Sequence, residues 1–205
     1  YDSDANNNDG SCEYPDNGDY SLSFDGEEDY VIINDSKTLS PQNLTIELLI
    51  VQEDDSDKQG QFYIVKSDGN DGYEYHLFKS QYVVAGINNP SGYTGNNLAS
   101  NININYNELS YLAYTFNSDV DSSKIFLNGN LIGERLLNAE IVDSNGKICI
   151  GNYLAYADDI QTSISSYQFR GKIKGVRISN IARNINPLTE TLFENDDFTI
   201  ALYNF

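Results

Sequence analysis

The chain has 205 residues, with 12 Lys+Arg against 31 Asp+Glu and a formal net charge of −19. Hydrophobic residues make up 40%, including 16 Tyr and 9 Phe, which is enough core material to exclude a disordered acidic tail. The acidity argues against nucleic acid and against an anionic membrane surface, since both call for clustered basic residues. No apolar run approaches the roughly 18 residues of a membrane span, so membrane insertion is not expected.

Residues 1–18 (YDSDANNNDGSCEYPDNG) have no hydrophobic period and are dense in turn formers, so they read as a linker or small loop module. Tyr rather than Met at position 1 suggests a piece of a larger chain with neighbouring domains. Residues 19–205 read as the folded domain. Strand-like runs follow in order: Tyr20–Phe24, Tyr30–Ile33, Leu44–Gln52, Gln61–Lys66, Tyr73–Lys79, Gln81–Ile87, Leu109–Phe116, Lys124–Leu127, Leu131–Arg135, Lys147–Gly151, Gln168–Ile178 and Thr199–Phe205. They are short, rich in Ile, Val, Tyr and Phe, and separated by Asn/Asp/Gly clusters. In Leu112–Phe116 the large apolar residues alternate, as a half-buried strand requires. Asn128-Gly129 marks a hairpin whose two central residues need positive φ. Asn180–Leu192 has room for one helical turn. Together these features predict an all-β fold, a two-sheet antiparallel β-sandwich or jelly roll.

Cysteine and histidine are scarce. Cys12 and Cys149 leave a disulfide open as an alternative, although Ile148-Cys149-Ile150 reads as core. The single histidine, His76, lies in a strand beside aromatics and reads as a packed residue rather than a base. Arg177 and Arg183 sit among apolar residues in an acidic chain and read as structural ion-pair partners.

Six blocks occur in a telling order: YSLSFDGEEDYV (Tyr20–Val31), LTIELLI (Leu44–Ile50), LSYLAYTF (Leu109–Phe116), IFLNGNLIG (Ile125–Gly133), ICIGN (Ile148–Asn152) and FRGKIKGVRISNIAR (Phe169–Arg183). From Tyr20 to Phe205 the chain resembles the concanavalin A-like lectin/glucanase superfamily, in its laminin G-like and pentraxin-like branch. It lacks the Trp that such domains often carry near the Leu109 block. Separately, DSDANNNDGSCEY (Asp2–Tyr14) is similar to short Asp-rich, Cys-containing repeats of secreted marine Bacteroidetes proteins. Those repeats usually pair two cysteines, and only Cys12 is present. This likeness implies a secreted or cell-surface location.

Enzymes of the resembled superfamily that cut glycans use a Glu-x-Asp-x-x-Glu arrangement, with nucleophile and acid on one strand face. That spacing is absent, and the acidic stretch Glu53–Asp57 reads as a solvated loop, so no enzymatic activity is expected. Calcium has two candidate places. Asp2, Asp4, Asn6 and Glu13 fall at the first, third, fifth and twelfth positions of an EF-hand-like loop, with Asn7 where glycine belongs. The pentraxin resemblance implies a second place, formed by Asp68, Asn70 and Asp71 of one loop facing Asp158 and Asp159 of the loop after Asn152. Tyr153, Leu154 and Ala155 stand where that resemblance would put acids.

Sugar recognition needs flat apolar surfaces for C–H faces and polar groups for hydroxyls. Tyrosines in Gly/Asn-rich loops fit this need: Tyr93 with Asn96, and Tyr153, Tyr156 and Tyr167 with Asp158. Tyr73, Tyr75 and Tyr82 read instead as core or sheet-face residues. The expected function is non-catalytic binding of a glycan or polysaccharide, with neutral sugars fitting a −19 chain better than acidic ones. An adhesion or spacer module with a protein partner is the alternative, followed by a glycan-cleaving enzyme.

Overall fold

Short β-branched and aromatic runs punctuated by turn residues become strands that cross repeatedly between two antiparallel sheets. A computed structural model describes residues 20–54, 59–68, 73–87, 96–153, 167–188 and 192–205. The strands are β1 (Leu22–Asp25), β2 (Val31–Ile33), β3 (Leu44–Gln52), β4 (Gln61–Ser67), β5 (Tyr73–Lys79), β6 (Val83–Ile87), β7 (Asn97–Ala99), β8 (Leu109–Asn117), β9 (Ser122–Leu127), β10 (Asn130–Leu136), β11 (Lys147–Ile150), β12 (Arg170–Ser179) and β13 (Thr199–Asn204). One sheet runs β1-β12-β3-β8-β9-β10, with β13 also pairing β12; the other runs β2-β11-β4-β5-β6-β7. Among the described residues no helix is long and apolar enough to cross a membrane.

Each expected strand is present. The structure adds β7, which among the described residues pairs with β6 alone, and a 3-10 turn over Lys37–Leu39. The helical turn expected in Asn180–Leu192 does not form over the described part of that segment. Its backbone is satisfied from β3 instead: Thr45 Oγ1 donates to the Ile181 carbonyl at 2.6 Å and accepts from Arg183 N at 2.9 Å.

The core lies between the sheets, where Leu48, Ile50, Leu112, Tyr114 and Phe116 meet Tyr63, Ile64, Tyr75, Leu77 and Ile150. Alternation in β8 holds, but the strand is buried on both faces. Tyr111 and Ala113 point the other way, into a second cluster with Leu49 and Phe193, against which Ile185 and Leu188 pack. Residues 181–188 therefore form a strap over the outer face of the seven-stranded sheet. The β9–β10 hairpin turns through Asn128 (φ 50°) and Gly129 (φ 80°), the positive-φ pair such a turn demands.

Candidate functional site

Each sheet has an outer face, and the two are finished differently. On the seven-stranded sheet the strap closes over saturated ion pairs. Glu47, only 1% exposed, accepts Arg177 Nε at 2.6 Å, Arg177 Nη2 at 2.8 Å and the Tyr111 hydroxyl. Arg183 donates to Ser179 Oγ at 2.8 Å and to Asp196 at 2.6 Å. The structural reading of both arginines holds. Clefts of about 440 and 610 Å³ flank the strap. The charged groups of the smaller one are already spoken for by each other.

The six-stranded sheet is finished with rings. A sheet face turned away from the core usually carries polar residues. Here Phe62, Val65 and Cys149 are buried outside the main core, packed with Tyr30, Ile32, Tyr73, Phe78, Tyr153 and Tyr167. Phe62 is the hub. It stacks on Phe78 at 4.7 Å and on Tyr153 at 5.2 Å, and meets Tyr167 edge-on at 5.8 Å. Tyr73 lies 5.5 Å from Tyr153, and Tyr153 lies 6.3 Å from Tyr167. Tyr73, Phe78, Tyr153 and Tyr167 are each only half-buried, so the cluster presents an aromatic surface. Tyr167 is pinned by its hydroxyl to Gln59 Oε1 at 3.3 Å, and Tyr153 follows Asn152, whose Oδ1 accepts the Tyr153 N–H at 2.7 Å.

At the centre of these rings sits His76, 1% exposed, 4.5 Å from Tyr73 and 5.4 Å from Phe78. Among the described residues neither of its ring nitrogens has a hydrogen-bond partner, and nor does Asn152 Nδ2. Burial pushes the imidazole pKa down to about 3, and no charged neighbour contributes. The residue is packed, as its strand position predicted, but it is not satisfied. Groups left that way are few in native proteins and call for an explanation.

The structure brings together part of the expected ligand set. Tyr153 and Tyr167 share the aromatic surface, and Asn96 lies beside β6, its carbonyl 2.9 Å from where a Cβ on Gly86 would stand. Tyr93, Tyr156 and Asp158 lie outside the described residues, as do the proposed metal ligands Asn70, Asp71, Asp159, Asp2, Asp4, Asn6 and Glu13. Asp68 is described. It follows the end of β4 where Ser67 faces Lys147, whereas the stems of the Asn152–Tyr167 loop attach near the Gln61–Phe62 end. The two loops expected to face each other thus spring from opposite ends of one strand. Near Asp68 the buried cation is Lys66, donating to Asp35 at 2.8 Å and Glu74 at 2.6 Å. Among the described residues no three His, Cys, Asp or Glu side chains converge as metal ligands. Sequence reasoning did not anticipate that Tyr73 and Phe78 join one aromatic cluster around the buried Phe62 on the outer face of the sheet. The available signal was aromatic residues on two consecutive strands without an obvious polar face.

Residues 25–186 match the family model described as concanavalin A-like lectin/glucanases superfamily, of laminin G type. No curated protein matches the chain. Among solved structures it is similar to a candidate carbohydrate binding protein from Bacteroides ovatus (TM-score 0.68, 16% identity, 90% of this chain and 50% of that one). It therefore spans half the length of that protein. It is also similar to a heptameric SAP-like pentraxin from Limulus polyphemus (0.61, 13%, 90% and 94%). A third similar structure is the Ruminococcus gnavus IT-sialidase CBM40 bound to α2,3-sialyllactose (0.61, 15%, 80% and 92%). At these identities the structural likeness speaks for the fold, while the family match covers most of the chain. The chain belongs to the concanavalin A-like lectin/glucanase superfamily, in its laminin G-like branch.

Proposed function

We propose that this chain is a non-catalytic carbohydrate-binding module of a larger secreted or cell-surface protein, and that the glycan lies on the aromatic face of the six-stranded sheet. The observation that carries this reading is the half-buried ring cluster around Phe62, with Tyr153 and Tyr167 at its rim. Pyranose rings present apolar C–H faces that stack on such surfaces, and their hydroxyls need polar groups nearby. Two of the similar folds are described as carbohydrate binding or sugar-bound, which supports the reading. A non-catalytic role is supported by the fate of the buried carboxylates: Glu47 and Glu74 are both engaged in ion pairs.

The test is isothermal titration against laminarihexaose, cellohexaose, mannohexaose and 3′-sialyllactose, with wild-type protein and Tyr153→Ala. At least one sugar binds, and Tyr153→Ala weakens it at least about tenfold, a loss near 1.4 kcal/mol. Binding unaltered in Tyr153→Ala removes the aromatic face as the site. Calcium assistance is part of the proposal on the strength of the oxygen-rich order Asp2, Asp4, Asn6, Glu13 and of Asp68 with its loop. Thermal unfolding in about 2 mM CaCl₂ against EDTA shows a higher Tm with calcium; equal values remove the ion from the account.

A further inference from the structure

His76 and Asn97 are brought together by a missing side chain. His76 pairs with Gly86 across β5 and β6, and Asn97 pairs with Gly86 across β6 and β7. A Cβ on Gly86 would lie 2.4 Å from Asn97 Oδ1 and 2.9 Å from His76 Cε1. No side chain larger than hydrogen fits there, so the carboxamide and the imidazole close over the same bare stretch of backbone. Asn97 is exposed while His76 is buried behind it among the rings. The neutral imidazole offers one N–H donor and one bare nitrogen acceptor, and neither is used among the described residues.

Resting on the carbohydrate-binding reading above, we infer that His76, with Asn97 beside it, is the polar reader of that site, and that its ligand is a neutral sugar rather than a sialic acid or uronic acid. Sugar hydroxyls both donate and accept, so one can accept from the imidazole N–H while another donates to its bare nitrogen. A carboxylate needs a cation or several N–H donors; the guanidinium at this edge, Arg135, is engaged by the Asn97 carbonyl, to which its Nη1 donates at 2.8 Å, so preference for an acidic sugar would point to Arg135 in place of His76. The aromatic rim holds the pyranose face, and Asn97 meets its edge first; His76, 1% exposed, engages a hydroxyl as the Asn97 carboxamide above Gly86 moves aside. A buried imidazole with two unused functions is costly unless something engages it, and that cost points to His76 as part of the site.

The experiment compares wild-type, His76→Phe, His76→Gln, Asn97→Ala and Tyr153→Ala by titration with laminarihexaose, cellohexaose, mannohexaose and 3′-sialyllactose, folding being checked by circular dichroism. The wild type binds a neutral hexaose and not sialyllactose. His76→Phe, which keeps the ring volume but removes both nitrogens, loses about tenfold or more in affinity. His76→Gln, which restores one donor and one acceptor, recovers part of it. Asn97→Ala, at an exposed position, loses affinity without loss of fold, so the test stands even if a His76 variant does not fold. Unchanged affinity in both His76→Phe and Asn97→Ala, with Tyr153→Ala impaired, overturns this inference and leaves the carbohydrate reading intact. Preference for sialyllactose overturns the neutral class. Absence of binding to every probe overturns both.

Discussion

Burial holds the His76 imidazole neutral, with a pKa pushed from 6.5 down to about 3. The unfolded chain takes up a proton on this residue below about pH 6.5, and the folded chain does not until near 3. Stability from this group is therefore complete above pH 6.5 and falls as the pH drops from there toward 3. Between pH 7 and pH 5 the loss is about 2 kcal/mol. Asp196, held low by hydrogen bonds from Arg183 and Thr199, loses its contribution only at far more acid pH. Urea unfolding at both pH values reads the slope, and His76→Phe reduces it by about that 2 kcal/mol. Glu47 sets a large ionic effect. Glu47→Gln weakens a buried bidentate pair and lowers stability by about 3–5 kcal/mol in the same assay. The half-exposed Lys124–Glu134 pair, by contrast, is worth no more than about 1 kcal/mol, because solvent screens it.

Hairpin and strap are locked together at the element scale. Asn128 Oδ1 accepts the Tyr111 N–H at 2.8 Å, so the β9–β10 turn is tied to β8 through a side chain as well as the backbone. Gly129 at φ 80° lies directly under the strap, and a Cβ there would stand 2.2 Å from Pro187 N. Gly129→Ala meets both a strained backbone and a backbone clash, and costs at least about 1 kcal/mol. Limited proteolysis then cuts residues 181–188 faster than in the wild type, while a strap independent of the turn would be cut at an unchanged rate. In β11, Cys149 sits between β2 and β4, and burial pushes its thiol pKa up to about 12. A free thiol in that setting is inert. It reacts with a disulfide reagent only on unfolding, so native labelling at the rate of an exposed cysteine would contradict the buried position.

For the whole molecule, the sandwich was legible because alternating strands and Asn/Asp/Gly turns recur along the chain. Both ends of β3 and β5 coincide with the expected runs, since turn-forming residues bracket them. β7 was not legible: Asn97–Ala99 has little intrinsic strand preference and is held by its pairing with β6. The site was half legible. Tyr153 and Tyr167 stand out as tyrosines beside a long polar loop, but Phe62, Tyr73 and Phe78 look like core. The β4–β5 ladder slips between Phe62 and Ile64, and again between Lys66 and Ser67. Tyr63 and Ile64 consequently both face the inter-sheet core, and simple alternation misassigns the residues around them. His76 was placed correctly as a packed residue, yet its two unused nitrogens are visible only once the neighbours of β5 are known.

The measurement that tests the central claim most directly is aromatic NMR of the protein titrated with the tightest-binding neutral hexaose from the panel. The account predicts shifts concentrated in Phe62, Tyr73, His76, Tyr153 and Tyr167, with Tyr111 and Phe198 beside the strap unmoved. Shifts confined to the strap face would contradict it, as would the failure of every neutral hexaose to perturb the aromatic face.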